Sequence, residues 1–320
     1  METIRLRPRL VPKMWGGRKL ETVLGRRLPD GAIGESWEVF DFPPGVIDDG
    51  AWVSAEVVGA DVTLHDLMCT QREALLGPHA AVETPHGPQF PLLVKFLDAA
   101  DDLSVQVHPD DAYAAAHDGA HLKNECWTIL QHEPGARLLA GLADGVTPGQ
   151  FRSALDDGTV EALLRGVPAE LGVTHYLPSG TVHALGAGML VAEVQTPSDT
   201  TYRVFDFNRV DPSTGKTREL HIEPAMACID FDDPNPPAPS GTSNGVVVDA
   251  PQFTVNRRTA ATPTPIDPGF AVLLCTDGEA KLGEILLRRG DVVVLPHDRS
   301  DLIVEPTVET VWLETRLPMP

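Results

Sequence analysis

Apolar stretches in this chain are short, and turn residues break nearly every one of them. Gly occurs 28 times and Pro 29 times in 320 residues. Runs such as "FAVLLC" at 270–275 are far too short to span a bilayer. Such punctuation suits short strands joined by turns. The expectation is a mainly β chain built as a sandwich or small barrel.

The stretch "LSVQVHPDD" at 103–111 shows the pattern at its clearest. Side chains two apart on a strand share a face. Leu103, Val105 and Val107 then form an apolar row, and Ser104, Gln106 and His108 a polar one. In "KNECWTIL", Lys123 and Glu125 share a face that Trp127 and Ile129 continue, while Cys126 and Thr128 take the other. A carboxylate in an apolar strand is costly to bury unless it is paired or metal-bound. "LPSGTVHAL" adds His183 beyond a tight turn. Imidazole, carboxylate and amide oxygen together suit a borderline divalent ion. Two histidines and one carboxylate would leave positions for water or substrate.

Along the chain, "FPLLVKFLDAADDLSVQVHPDD" reads as two strands joined by "AADD", and "NECWTILQ" with "ARLLAGL" as a strand pair turning at "HEPG". Thr63 is a cap for a helix through "LHDLMCTQREALLG". Asp110 and Asp111 read as turn and cap residues. Thr147 with Pro148 starts a helical insertion over 147–165, with Phe151, Leu155, Leu163 and Leu164 on its apolar faces. "DFDDPNPPAPSGTSNG", 230–245, breaks the composition and reads as a linker. The expected organisation is therefore a site-bearing unit over 1–230, a linker over 231–245 and a C-terminal β unit over 246–320. "GDVVVLPHD" and "VTHYLPSGTVHAL" share a strand-turn plan, which hints that the two β units are related.

There are 25 basic against 46 acidic residues, a net charge of −21. That field opposes binding to nucleic acid or anionic lipid, so an anionic ligand needs a local basic pocket. The four cysteines, Cys69, Cys126, Cys228 and Cys275, are scattered and read as reduced, buried thiols of a cytoplasmic protein. "METIRLRPRLVPKMWGG" has no apolar segment of the kind a signal peptide needs. His117, His121, His132, His175 and His297 read as ordinary residues, and Trp15, Trp37 and Trp127 as core or pocket wall.

"MWGG", "IGESWEV", "FPLLVKFLDAADDLSVQVHPDD", "KNECWTIL", "LPSGTVHALGAG" and "EVQTPSDTTYRVFDFNR" resemble the type I mannose-6-phosphate isomerases. The likeness runs from about Trp15 to His221. It implies a cupin fold of two jelly-roll β-barrels with helical insertions. It also implies interconversion of mannose 6-phosphate and fructose 6-phosphate, with one zinc ion per chain. By motif, the family's zinc ligands fall on Gln106, His108, Glu125 and His183. Some short bacterial members carry Lys at the first of these, so Gln106 is a departure that adds a fourth protein ligand. The family's pocket arginine matches Arg203, its lysines Lys95 and Lys123, and its glutamate Glu193. Catalysis is expected from Arg203, Lys123 and Glu193. Substrate contacts are expected from Lys95, Lys123, Arg203 and Ser104, whose hydroxyl shares the Gln106 face. Which cation grips phosphate, and which group is the base, stay open here. The expected partner is a small sugar phosphate, and the expected state a monomer or weak homodimer.

Two other classes stay open. A non-haem iron oxygenase uses the same two histidines and carboxylate. Gln106 as a fourth ligand, and lysines and arginines with no obvious 2-oxoacid clamp, argue against it. A sugar-phosphate-binding cupin without catalysis would not need the intact set of four metal positions plus Lys123, Glu193 and Arg203.

Overall fold

The computed structural model of the chain describes residues 1–47, 52–81, 87–210 and 215–319. Strands dominate, and they form two pairs of large sheets. The first pair is a six-stranded sheet and a five-stranded sheet. The six-stranded sheet contains Glu35–Val39, Leu93–Ala99, Glu125–His132, Thr174–Leu177 and Met189–Gln195, with Arg9–Val11 at its edge. The five-stranded sheet contains Val105–Val107, Arg137–Leu142, Leu164–Pro168, His183–Leu185 and Tyr202–Phe205. Leu97, Trp127, Ile129, Met189 and Val191 from the larger sheet pack with Leu138, Ala140 and Leu185 from the smaller. The two sheets therefore face each other across a common core.

Two of the expected strand pairs are not pairs. Leu93–Ala99 and Val105–Val107 lie in opposite sheets, and so do Glu125–His132 and Arg137–Leu142. "AADD" and "HEPG" are crossings between sheets, not hairpin turns. The distinction matters, because a crossing turns the inward faces of consecutive strands toward each other. Leu103 also departs from expectation. The strand begins only at Val105, and Leu103 packs in the inter-sheet core while Val105 and Val107 pack on the outer side.

That outer side carries the helices. Val105, Val107, Leu139, Ala184 and Val204 pack with Phe151 and Ala154 of the helix Pro148–Asp157 and with Ala225 of Ile222–Cys228. Thr147 caps the first of these through a reciprocal bond with Gln150, with Pro148 at its start. The helix is shorter than the expected insertion. Gly158 ends it in a left-handed conformation at φ 71°, one 3-10 turn follows, and Leu164 already belongs to a strand. Thr63 caps its helix as expected, through Asp66, but that helix breaks at Gln71 into Leu64–Thr70 and Arg72–Leu76. Asp110 caps Asp111–Ala116 by accepting a bond from Tyr113 N.

The second pair of sheets is built mostly from the C-terminal strands and encloses its own core, with Leu273, Cys275, Leu282 and Trp312. The first strand, Ile4–Arg5, joins it by pairing with Val294 and Val293. A third apolar layer lies between the halves. Val94, Phe96, Cys126, Leu190 and Val194 pack there with Val255, Val272, Leu274, Val294 and Leu313. The six-stranded sheet is thus buried on both faces. Cys126 and Cys275 are buried as expected, but Cys228 is only half-buried and Cys69 is exposed, because its helix turns it away from the packed face. No helix among the described residues is long and apolar enough to cross a membrane.

Phe96 is fully buried in the layer shared by the halves. Phe96→Ala is expected to cost about 3–5 kcal/mol. Because the layer is continuous, denaturant unfolding followed by tryptophan fluorescence should show one transition at a lower midpoint, not separate losses of the two halves.

Candidate metal centre and cleft

Strand register brings the polar side chains together. On the five-stranded sheet, His183, Gln106 and Arg203 are directly opposite one another on three adjacent strands. On the six-stranded sheet, Trp127, Glu193 and Lys95 form a matching row. Both rows point inward, so they face each other. Between them is a cleft of about 220 Å³ whose lining includes Ser104, Gln106, Lys123, Glu193, Arg203 and Arg218.

His108, Glu125 and His183 meet at its base, with candidate ligand atoms all within 4.8 Å of one another. They are the one such group among the described residues. All three are essentially inaccessible to solvent. His108 Nδ1 lies 2.9 Å from Thr200 O, and His183 Nδ1 lies 2.9 Å from Thr181 O. A carbonyl can only accept, so both Nδ1 atoms carry the proton and donate it. Both Nε2 atoms therefore present lone pairs. His183 Nε2 is 3.1 Å from Glu125 Oε1, and His108 Nε2 is 3.5 Å from Glu125 Oε2. A lone pair facing a carboxylate is repulsive, and Glu125 Oε1 has no donor. This is a set of acceptors arranged around a position that calls for a cation. The backbone bonds at Nδ1 are the outer support that metal-binding histidines ordinarily have.

Lys123 supplies one positive charge here. Its ammonium contacts Glu125 Oε2 and lies 2.9 Å from His108 Nε2. Burial, and then the Lys123 charge, push His108 down to about 3. It stays neutral and able to ligate. Burial opposes charge on Glu125, yet Lys123 holds it well below the usual carboxylate range. Gln106 lies beside the pair, with its amide nitrogen 3.5 Å from His183 Nε2. The amide's nitrogen and oxygen interchange by a half-turn, which would aim the oxygen at the same position. The donor set of two imidazoles, one carboxylate and one amide oxygen fits a divalent ion.

The other wall is ionic. Lys95 is buried 3.3 Å from Glu193 Oε2, and Glu193 Oε1 accepts from Trp127 Nε1 at 2.9 Å. Burial works against charge on Lys95, but Glu193 and then Glu35 outweigh it and raise its pKa. Burial raises Glu193 as well. On Glu193 burial outweighs the opposing Lys95 charge. Ser104 accepts a 3.1 Å bond from Arg203 Nε, and Arg203 Nη1 donates to Glu219 O at 3.0 Å. Burial, and then the neighbouring Arg218, lower the Arg203 pKa.

All nine residues singled out from the sequence lie in this cleft or at its base: Lys95, Ser104, Gln106, His108, Lys123, Glu125, His183, Glu193 and Arg203. Lys13, Glu35, Asp199 and Arg218 also line it and were not assigned to it. Lys13 and Glu35 flank or lie inside two of the recognised motifs, which was the available signal. Arg218, in "GKTREL", had none. His175 and His297 are not part of the metal-ligating group, in line with their reading as ordinary residues.

Comparison with known proteins points the same way. A family model described as the phosphomannose isomerase type I catalytic domain matches residues 3–134. Over 307 residues the chain is 34% identical to a mannose-6-phosphate isomerase of Streptococcus mutans, across 92% of this chain and 93% of that one. The crystal structure of the mannose 6-phosphate isomerase from Bacillus subtilis superposes with a TM-score of 0.82 at 27% identity, covering 99% of this chain and 100% of that chain. A mannose 6-phosphate isomerase bound with zinc and yttrium has the same fold, with a TM-score of 0.72 at 18% identity, over 99% of this chain and 100% of that one. The site motifs, the fold and a near end-to-end match to a curated relative agree: this chain belongs to the type I phosphomannose isomerase family.

Proposed function

We propose that the cleft is the active site of a zinc-dependent aldose–ketose isomerase that interconverts D-mannose 6-phosphate and D-fructose 6-phosphate through an enediolate. The observation that carries this reading is the convergence of two imidazole lone pairs on a buried carboxylate, at the foot of a cleft lined by paired lysines and glutamates. The surrounding unit, residues 1–230, reads as a cupin-type jelly-roll barrel, with 231–245 leading to a second β unit over 246–320.

In this reading Gln106, His108, Glu125 and His183 hold the zinc. Bound there, zinc supplies Lewis-acid polarisation of sugar oxygens. The chain's own residues do the rest. A proton must leave C2 and return to C1, so one group must face both carbons and change protonation state. Glu193 suits that task. It is buried, its pKa is raised by burial, and Trp127 and Lys95 hold its two oxygens in place. A carboxylate raised in this way is a stronger base than a solvated one. The Lys95 charge, 3.3 Å from Glu193 Oε2, opposes that rise, and the Lys95 ammonium lines the cleft where a sugar hydroxyl would lie. Lys123, beside His108 and Glu125, offers its ammonium to the developing oxyanion. Arg203 and Ser104, coupled by their own hydrogen bond, lie at the opposite end of the His183 row and suit the phosphate. The amide of Gln106 and the cations around it favour this reading over an iron oxygenase.

Three outcomes test it. Chelation should abolish conversion of mannose 6-phosphate, and zinc should restore it without oxygen. His183→Ala should stay inactive, with less than one zinc per chain by elemental analysis. Full activity in metal-free protein would sink the zinc assignment. Glu193→Gln should lower kcat by roughly 10²–10⁴-fold while zinc content stays at the wild-type level. If kcat holds, Glu193 is not the base.

A further inference from the structure

Most of the cleft's positive charge is already matched. Lys13 is 3.1 Å from Glu35, Lys95 is 3.3 Å from Glu193, and Lys123 contacts Glu125. Arg203 is different. Its polar contacts are a hydroxyl and a carbonyl, and it forms no ion pair among the described residues. Arg218 lines the same end of the cleft. It presents one edge to Asp206, with Nε 2.7 Å from Oδ2 and Nη2 in contact with Oδ1. Arg209 spends its own Nη2 on the same Oδ1. Asp206 thus holds both Arg218 and Arg209, Arg209 also lies 3.5 Å from Asp101 Oδ2, and Arg203 stands beside them with no ion pair among the described residues. Among the described residues, three guanidiniums meet two ion-paired carboxylates here, on a chain of net charge −21.

The backbone holds the arrangement at some strain. Phe207 and Asn208 have φ of 53° and 55°, and Arg209 N closes the turn onto Asp206 O at 3.0 Å. A bulky aromatic seldom adopts that conformation, and such strain collects at functional sites. The turn sets Asp206 and Arg209 back to back, so that Asp206 can hold the edge of Arg218 while Nη1 makes no bond to a described residue. Arg203 Nη2 likewise makes no bond to a described residue.

We infer that Arg218 is a specificity-determining residue that, with Arg203, grips the phosphate of the sugar phosphate, and that Asp206 is the positioning residue that aims it. This rests on the isomerase reading of the cleft. It places the dianion at the Arg203–Arg218 corner and leaves Lys95 and Lys123 to the sugar end. Two planar guanidiniums, each with N–H groups that bond no described residue, match the oxygens of a phosphate, and a dianion relieves their mutual repulsion. The free sugar would leave that repulsion standing.

The test compares Arg218→Gln and Arg218→Lys with the zinc-loaded wild-type enzyme. Arg218→Gln should raise KM for mannose 6-phosphate by about 10- to 100-fold, with a much smaller change in kcat. Competitive inhibition by inorganic phosphate should weaken in parallel, and zinc content should not change. Arg218→Lys should fall between the two, since it keeps the charge and loses the fork. Asp206→Asn should shift KM in the same direction. An unchanged KM and an unchanged inhibition constant for phosphate in Arg218→Gln would overturn the inference. If that variant does not fold, Arg218→Lys decides by the same two constants. Calorimetry with mannose 6-phosphate separates this inference from the reading beneath it. A wild-type protein that binds but does not isomerise, with binding weakened in Arg218→Gln, would keep the Arg218 assignment and discard the isomerase.

Discussion

Everything chemical in this cleft depends on the register of two facing sheets. One row runs Trp127–Glu193–Lys95 across three strands of the larger sheet, and the other runs His183–Gln106–Arg203 across three strands of the smaller. A slip of one residue in any of these strands would turn its site residue to the opposite face. The apolar layers prevent that. Alternate positions of the same strands, such as Val94, Phe96, Leu190 and Val194, are locked into the layer shared with the C-terminal sheet. The core that stabilises the fold is also the device that aims the site.

The same geometry explains how so many charges are buried together. Isolated buried ions are costly, and breaking one partner of a buried pair is more costly still. Here the ions come as pairs along the cleft, and the carboxylates pull protons and cations toward them. Glu125, although paired with Lys123 through one oxygen, gives the site its purpose. It faces two histidine lone pairs, both fixed by bonds to backbone carbonyls, and one of its oxygens has no donor. That arrangement favours a bound cation more strongly than one lysine can satisfy.

Much of this was legible in the residues. Period-two alternation put Gln106 with Ser104 and Lys123 with Glu125; Ser104, Gln106 and Lys123 do line the cleft, and Glu125 contacts Lys123 at its base. The caps at Thr63, Asp110 and Thr147 are local chemistry and could be read as such. Arg218 could not. It lies outside every recognised motif, and only the turn at Phe207–Asn208 and the shared carboxylate of Asp206 bring it to the cleft. Nor could the crossings at "AADD" and "HEPG", because a short polar turn looks the same whether it joins two strands of one sheet or passes between two.

Beside the motifs that carry the family resemblance, the sequence by itself determined the strand-rich class, the polar rows at Ser104–Gln106 and Lys123–Glu125, and the need for a local cation cluster on an acidic chain. Those properties follow from composition and from side-chain alternation, which act over a few residues. The tertiary structure decided which strands face each other, and so which inward residues meet. It also decided which charges are matched and which are left over. Those outcomes depend on register and crossing between segments far apart in the chain, as between Ser104 and Arg203 or Ile4 and Val294. No local pattern carries that information, because pairing between distant strands is selected by the packing of the whole core.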